Sequence, residues 1–266
     1  MIGLGIAAAS LSTFATGIES ANVVGYTTST LEAGKYSLIS LPFAGVDGGN
    51  QKLTEAMSGS WFGGETNADG DNLRVWNPAD QSYTVYYYYT DDTHEWDGWY
   101  DVGGAYYFDD CAENAEGLEA GWTAWYQSRG TTAPTVTMAG AVESADDVSV
   151  TVYGGVYTLL ANPFPVRMKL NDATQVNWGA AKGGETNADG DNIRVWTAAD
   201  QSYTIYYYYT DDSHEWDGWY DVGGAYYFED VPETDNANGL QVGEVFWYQS
   251  RDAKGTNHTI TFFNPT

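Results

Sequence analysis

Residues 82–100 read SYTVYYYYTDDTHEWDGWY, and this stretch decides the fold. In a β-strand, alternate side chains point to opposite faces of the sheet. One face then carries Tyr83, Val85, Tyr87 and Tyr89, and the other carries Thr84, Tyr86, Tyr88 and Thr90. Because both faces are aromatic, we expect a strand that is covered on both sides or lines a contact surface. The acidic turn at 91–94 leads into 95–100 and completes a predicted hairpin.

The same stretch recurs 120 residues later. Residues 63–108 and 183–228 align without gaps and differ at five positions: Leu73/Ile193, Asn77/Thr197, Pro78/Ala198, Val85/Ile205 and Thr93/Ser213. Looser similarity on both sides extends the two copies to 22–143 and 144–266, after an apolar N-terminal segment at 1–21. A copy of this length is a domain in its own right.

Short segments bounded by Gly, Asn, Asp or Pro supply the remaining elements of the first copy. Strands are predicted at 22–30, 35–41, 72–77, 104–109, 122–128 and 133–138, and a short helix at 52–58. Short strands at this spacing are typical of paired antiparallel sheets. The sequence therefore predicts an all-β chain: two tandem antiparallel β-sandwich or barrel-like domains preceded by the apolar segment.

The charge is strongly one-sided, with 37 acidic residues against 10 basic ones and a net charge of -27. Nucleic acid rewards clusters of Lys and Arg, so a nucleic-acid partner is excluded. Solubility in a salty or extracellular setting and specific binding of cations both explain the acidity, and both stay open. The single cysteine, Cys111, has no partner for an intrachain disulfide.

The N-terminal segment bears on localisation. Residues 2–9 are apolar, and the stretch continues, diluted by Ser and Thr, to about Ala15. This is too short for a membrane-spanning helix but has the length of a signal-peptide core, with small residues near Ala15 and Ala21 that suit cleavage. A retained arm that connects subunits is the alternative, because the usual basic region is missing. Both interpretations predict an extracellular or cell-surface protein.

Three short elements resemble a group of exported bacterial proteins that has no assigned activity. They are the opening ANVVGY at 21–26, the YSLISLPF element at 36–43, and the Gly-Leu-x-x-Gly run at 117–121 that precedes Trp125. The group typically shows a signal peptide, an "NIVGY" strand and a "Gly-Tyr-x-Leu-Ile-x-x-Pro-Phe" strand. The resemblance covers both copies and implies export and β structure, without implying site residues. This chain departs from the group in its heavier acidity and its Tyr-rich hairpin.

An acidic loop in each copy is the best candidate for chemistry. Oxygen-bearing side chains alternate along it around a central glycine, as a loop that wraps Ca²⁺ requires. The predicted ligands are Glu65, Asn67, Asp69 and Asp71, with Glu185, Asn187, Asp189 and Asp191 in the second copy. The position of the bidentate Glu of an EF-hand holds Trp76 or Trp196, so another segment would have to complete the site. An Asx-rich turn that bonds its own backbone is the alternative.

The hairpin turn carries a second acidic group. Its members are Asp91, Asp92, Glu95 and Asp97, with Asp211, Asp212, Glu215 and Asp217 in the second copy. Paired carboxylates serve glycosidases across a sugar cleft, but in a turn they are far more often solvated charges or ion ligands. No nucleophile elbow, phosphate-cradling loop or Cys/His pair accompanies them. The sequence therefore predicts a protein that is not an enzyme.

The aromatic residues after each turn are predicted to be exposed binding platforms, with burial in the core as the alternative: Trp96, Trp99, Tyr100, Trp216, Trp219 and Tyr220. Exposed rings of this kind stack on sugars or pack against a neighbouring subunit. The favoured function is a structural subunit of an extracellular filament, sheath or surface layer, with copies of itself as partners through strand edges and aromatic surfaces. The alternative is a secreted carbohydrate-binding or adhesive module that binds polysaccharide.

Overall fold

The structure is a computed structural model, and it describes residues 24–142, 145–223, 227–230 and 239–265. The predicted signal peptide or connecting arm at 1–21 lies outside the described residues. Within the described ranges, no helix has both the length and the apolar character needed to cross a membrane.

The described part of the first copy begins with an exposed strand and ends with a mostly buried one. Its elements are β1 (Val24–Thr30), β2 (Tyr36–Leu41), α1 (Leu53–Ala56), β3 (Met57–Gly59), β4 (Asn72–Asn77), β5 (Ser82–Tyr89), β6 (Gly98–Asp101), β7 (Trp122–Gln127) and β8 (Thr135–Ala141). Short 3₁₀ turns cover Phe108–Asp110 and Ala112–Asn114.

The second copy repeats this order, with a two-residue strand in place of α1 and β3. Its elements are β9 (Asp147–Val152), β10 (Tyr157–Ala161), β11 (Val176–Asn177), β12 (Asn192–Thr197), β13 (Ser202–Tyr209), β14 (Gly218–Asp221), β15 (Val245–Gln249) and β16 (His258–Phe263). A 3₁₀ turn covers Phe228–Asp230.

Each copy is a pair of antiparallel sheets, as the sequence predicts. Among the described residues, the first copy has a three-stranded sheet of order β1-β8-β3 and a five-stranded sheet of order β2-β7-β4-β5-β6. The second copy has the orders β11-β16-β9 and β10-β15-β12-β13-β14. All strand pairs in the described ranges are formed within one copy. The all-β fold is therefore confirmed.

A separate hydrophobic core lies inside each copy. The first core includes Leu41, Leu73, Tyr86 and Tyr126, and its buried members all belong to residues 31–138. The second core lies entirely within residues 152–262 and includes the fully buried Trp219. Burial of one such side chain stabilises the fold by about 1.5–3 kcal/mol. The buried members of each core therefore come from one copy alone.

Two predicted elements are wrong in detail. The strand predicted at 104–109 is a turn followed by a 3₁₀ segment, because the Asp101 carboxylate accepts the backbone N–H groups of Gly103, Ala105 and Tyr106. Those amides are therefore engaged locally and do not extend the sheet. The returning strand of the hairpin is shorter than predicted and starts only at Gly98.

Candidate functional site

The outer faces of the two five-stranded sheets meet and form a third hydrophobic cluster, which we call the junction. Its buried members are Trp125, Leu159, Ala161, Val245 and Trp247, and its half-buried members are Tyr36, Leu38, Trp76, Tyr157 and Trp196. The outer face of β5 contributes to the same side of the sheet, where Tyr83 lies against Trp76 with the ring centroids 4.7 Å apart. The junction thus covers part of the aromatic surface that faces away from each core.

Two tryptophans make the same contact in opposite directions. The Trp76 Nε1–H donates to the backbone carbonyl of Tyr157 at 3.1 Å, and the Trp196 Nε1–H donates to the carbonyl of Tyr36 at 3.2 Å. Trp76 and Trp196 are equivalent in the two copies, and so are Tyr36 and Tyr157. A contact that is returned in this way is the signature of a two-fold axis.

Two glutamines repeat the exchange. The Gln81 Nε2 donates to the Tyr157 carbonyl at 2.8 Å, and its Oε1 accepts the Tyr157 N–H at 3.1 Å. Gln201 does the same for Tyr36, at 2.9 and 3.2 Å. Tyr36 and Tyr157 lie on the edge strands β2 and β10, where outward backbone groups would otherwise have no partner. Each copy therefore closes the sheet edge of the other.

Six rings form a closed circuit around this axis, which we call the aromatic circuit: Trp76, Tyr83, Trp125, Trp196, Tyr203 and Trp247. The centroids of Trp76 and Trp247 are 5.1 Å apart and those of Trp125 and Trp196 are 5.0 Å apart, both edge to face. Trp247 Nε1–H donates to the Tyr203 hydroxyl at 3.2 Å, and Trp125 lies beside the Tyr83 hydroxyl, whose pKa it lowers. Edge-to-face pairs add about 0.5–1.5 kcal/mol each beyond their buried area.

A cleft of about 320 Å³ opens beside the circuit, lined by Trp76, Tyr83, Tyr157, Arg194, Tyr203 and Trp247. This volume is at the lower end of the range of small-ligand sites. Tyr83 and Tyr203 are each 40% exposed at the cleft. Burial of the remaining part raises the pKa of both hydroxyls further above neutral pH, where each can donate a hydrogen bond.

One cation lines the cleft. The Arg194 guanidinium lies 5.3 Å from the centroid of the Tyr157 ring, and its Nη2 donates to the Gln249 Oε1 at 2.9 Å. These contacts hold the guanidinium in place against an aromatic wall. The cleft thus combines flat apolar faces with hydroxyl and guanidinium donors, which suits a ligand with a ring and several oxygens.

In the predicted calcium loops, one carboxylate of each loop is buried and accepts hydrogen bonds from neighbouring segments of the chain. Asp71 is 1% exposed, and its Oδ2 accepts the Phe62 N–H at 2.8 Å and the Tyr126 hydroxyl. Its Oδ1 accepts the Arg129 N–H at 2.6 Å. In the second copy Asp191 accepts equivalent bonds from Lys182, Tyr248 and Arg251. Burial raises the pKa of Asp191. These two carboxylates tie the loop to the core.

The other predicted ligands turn toward their own loop or toward solvent. The Asp69 carboxylate accepts the Thr66 hydroxyl at 2.7 Å, and the backbone carbonyl of Asn67 accepts the side-chain amide of Asn72 at 3.0 Å. Glu65 is exposed, and Asp189, Asn187 and Glu185 repeat the pattern. In the part of the chain that the structure describes, no group of three or more His, Cys, Asp or Glu side chains is arranged to hold a metal. Calcium binding stays a prediction.

The predicted exposed platforms are only partly exposed. Trp96 and Trp216 are each 54% exposed at the hairpin tips, as expected. The expectation is wrong for Trp99, Tyr100 and Trp219, which are 6%, 9% and 0% exposed, and Tyr220 is half-buried. The physical reason is the strand period: Trp99 and Trp219 point into the cores, and Tyr100 packs against Tyr107 with the tilted ring centroids 4.3 Å apart.

Two of the four carboxylates of the first hairpin turn, Asp91 and Asp97, bond within the turn itself. Asp91 Oδ1 accepts the Thr93 N–H and hydroxyl at 2.8 and 2.6 Å, and these bonds lower the pKa of Asp91. The His94 Nδ1 is 2.9 Å from Asp97 Oδ2, and this contact raises the pKa of His94. Asp92 and Glu95 are exposed. The turn thus has the bonding of a stabilised Asx turn.

Comparison of the chain with protein-family models, with curated proteins and with solved structures finds no match. The functional argument therefore depends on the geometry of the molecule.

Sequence reasoning missed the junction residues Tyr36, Trp76, Arg194 and Trp247. One signal was available: Arg74 and Trp76 lie on the same side of β4, two residues apart, and a charged and an aromatic residue on an outer sheet face indicate a contact surface. The period of two shows that Arg74 and Trp76 share one face of the sheet. It does not show that the other copy of the same chain covers this face.

Proposed function

We propose that the protein is an extracellular, non-catalytic binding protein that holds a saccharide in the cleft between its two copies. The observation that carries the proposal is the cleft itself, with tryptophan and tyrosine faces beside the Arg194 guanidinium and two tyrosine hydroxyls. Sugar rings present C–H faces that pack on aromatic rings and hydroxyls that need polar partners at the edge.

The net charge of the molecule bears on whether the ligand is charged or uncharged. With a net charge of -27, long-range attraction to an anionic surface is absent, so binding depends on short-range contacts. An uncharged polysaccharide fits this condition best. Its affinity should change little with salt, because no counterions are released.

The proposal is tested by affinity electrophoresis through gels that contain neutral polysaccharides. The protein should be retarded, and Tyr83→Ala combined with Tyr203→Ala should weaken binding about tenfold by removing the cleft's exposed ring faces. Trp96→Ala combined with Trp216→Ala is the matched control, since it removes exposed rings that lie at the hairpin tips. Loss of retardation in the control alone would place binding at the tips and overturn the cleft proposal, as would the absence of retardation in every gel.

A second candidate function is self-assembly into an extracellular structural layer or filament. One observation favours it: among the residues that the structure describes, β1 is the edge of its three-stranded sheet, with Val24 61% and Tyr26 74% exposed. An open edge with apolar side chains is a template for pairing with another strand. Against it, the contact between the two copies already covers part of the aromatic side chains that face away from the cores.

Electron microscopy of concentrated protein in negative stain tests this candidate. Regular fibres or sheets are expected, and Tyr26→Lys should abolish them, because a charge on an edge strand opposes strand pairing. Dispersed particles at every concentration, with and without millimolar Ca²⁺, would contradict it.

A further inference from the structure

We infer that the junction is a homotypic contact. The junction face of either copy can bind the junction face of the equivalent copy in another chain, so separate chains can associate by exchanging copies. The partner is thus another molecule of this chain, bound through the junction face and not through strand edges. The inference does not depend on whether the cleft binds a saccharide.

The contacts are reciprocal around a two-fold axis, as shown by the tryptophan and glutamine pairs. Such an isologous interface needs the same surface on both sides. Six pairs of equivalent contacting side chains are identical in the two copies: Tyr36 and Tyr157, Arg74 and Arg194, Trp76 and Trp196, Gln81 and Gln201, Tyr83 and Tyr203, Trp125 and Trp247. Buried Val245 and Ala161 differ from their equivalents, Thr123 and Ser40. A face that fits its equivalent in the other copy therefore fits itself.

Close backbone approaches at the periphery obey the same symmetry. A Cβ atom at Gly121 would lie 3.4 Å from the Pro163 side chain, and one at Gly243 would lie 3.6 Å from Pro42. Gly121 corresponds to Gly243 and Pro42 to Pro163. A pair of first copies would bring Gly121 against Pro42, so it would keep this fit.

The few differences favour pairing of the first copy with itself. The Ser40 hydroxyl donates to the Gly243 carbonyl at 2.7 Å, and the equivalent of Ser40 in the second copy is Ala161. The Lys35 ammonium donates to the Ala199 carbonyl at 2.8 Å, and Val156 is its equivalent. Two first copies would make both bonds twice, whereas two second copies would make neither. The first copy should therefore form the tighter pair.

Exchange also requires that the copies be separable. All strand pairs in the described ranges are internal to one copy, and each copy has its own core, as described above. Between the end of β8 at Ala141 and the start of β9 at Asp147 the chain has only residues 142–146. Copies joined by a short connection can pair within one chain or, at high concentration, across two.

The first experiment excises the first copy, residues 24–142, and measures its mass by light scattering after gel filtration. We expect a dimer. Trp76→Ala in the same fragment should keep the β-sheet circular dichroism spectrum and weaken dimerisation by at least about 100-fold, because two symmetric tryptophan contacts are lost at once. A wild-type fragment with the β-sheet spectrum and the mass of one copy would overturn the inference.

The second experiment uses the whole chain and so does not depend on folding of the fragment. Two differently tagged chains are unfolded, mixed, refolded at high concentration and captured through one tag. Co-capture of the second tag is expected, and it should disappear when both chains carry Trp76→Ala and Trp196→Ala. If the wild-type chains refold without co-capture, or if the variant is captured equally well, exchange through the junction is contradicted.

Discussion

The junction and the hairpin tips are both rich in tryptophan and tyrosine, and both are duplicated, yet they differ in their surroundings. Trp76 and Trp196 are half-buried and bonded to the opposite copy, whereas Trp96 and Trp216 are 54% exposed in acidic turns. The difference comes from neighbours. In the junction, aromatic residues from several adjacent strands share one flat face, and at the tip a single ring stands among solvated carboxylates.

Aromatic content alone therefore does not locate a binding surface. Exposing a broad apolar sheet face to water is strongly unfavourable, so such a face binds a partner. The other copy is tethered in the same chain and is therefore the partner at the highest effective concentration. An isolated ring at a turn has no such cost. Substitutions at the junction should therefore change stability more than substitutions at the hairpin tips.

The largest effect is expected at the junction tryptophans. Trp76→Ala or Trp196→Ala removes a ring contact with the other copy and leaves a backbone carbonyl with one bond fewer. For these half-buried rings we expect each change to lower the free energy of unfolding by about 2–4 kcal/mol, measured by urea denaturation. A cost below ~1 kcal/mol would show that the rings are not packed as described.

The glutamine contacts should come next. Gln81→Ala leaves both the N–H and the carbonyl of Tyr157 without their glutamine partner, and Gln201→Ala does the same to Tyr36. We expect each to cost about 1–3 kcal/mol in unfolding free energy. Asp80→Ala is the matched control from the same turn, since Asp80 bonds only within it. Equal costs for Gln81→Ala and Asp80→Ala would contradict a specific role for the glutamine.

The sequence predicted each separate sheet better than it predicted their arrangement. The period of two in β5 correctly separated Tyr86 and Tyr87 onto opposite faces, and the structure buries both, at 0% and 5% exposure, whereas Tyr83 at the start of the strand is 40% exposed. What covers the outer face could not be predicted. Reciprocal bonds such as Gln81 to Tyr157 join residues 76 positions apart, and no local pattern encodes that pairing.

The acidic loops show a second limit. The alternating oxygens at 65–71 are compatible in the sequence with a calcium loop and with an Asx turn. The structure separates Asp71, which is buried and bonded to three donors, from Asp69 and Glu65, which are exposed. The orientation of a single carboxylate depends on the hydroxyl of Tyr126, which arrives from another strand. Spacing in the loop cannot reveal it.

A smaller effect is expected at the tips when the pH changes. Because Asp97 raises the pKa of His94 in the folded state, the ion pair is fully formed below the ordinary value of about 6.5. Its contribution is lost as the pH rises through the raised folded value. NMR titration of the His94 ring should show an elevated midpoint that Asp97→Asn lowers, and His214 should respond to Asp217→Asn in the same way. Midpoints that ignore these substitutions would contradict the contact.

The smallest effect is expected for the exposed tryptophans themselves. Trp96→Ala and Trp216→Ala remove rings that are more than half exposed, so each should change the unfolding free energy by no more than about 0.5 kcal/mol. Urea denaturation beside the junction variants gives the comparison directly. A cost similar to that of Trp76→Ala would mean that the tips are packed against something in solution.

The central claim is that the two copies pack against each other through the aromatic circuit, and a double-mutant cycle between Trp76 and Trp247 tests it most directly. These rings come from different copies and meet edge to face at 5.1 Å. The unfolding free energies of Trp76→Ala, Trp247→Ala and the double variant should show a coupling of about 0.5–1.5 kcal/mol. Additive costs, within ~0.3 kcal/mol, would show that the rings do not touch and that the copies are not joined in this way.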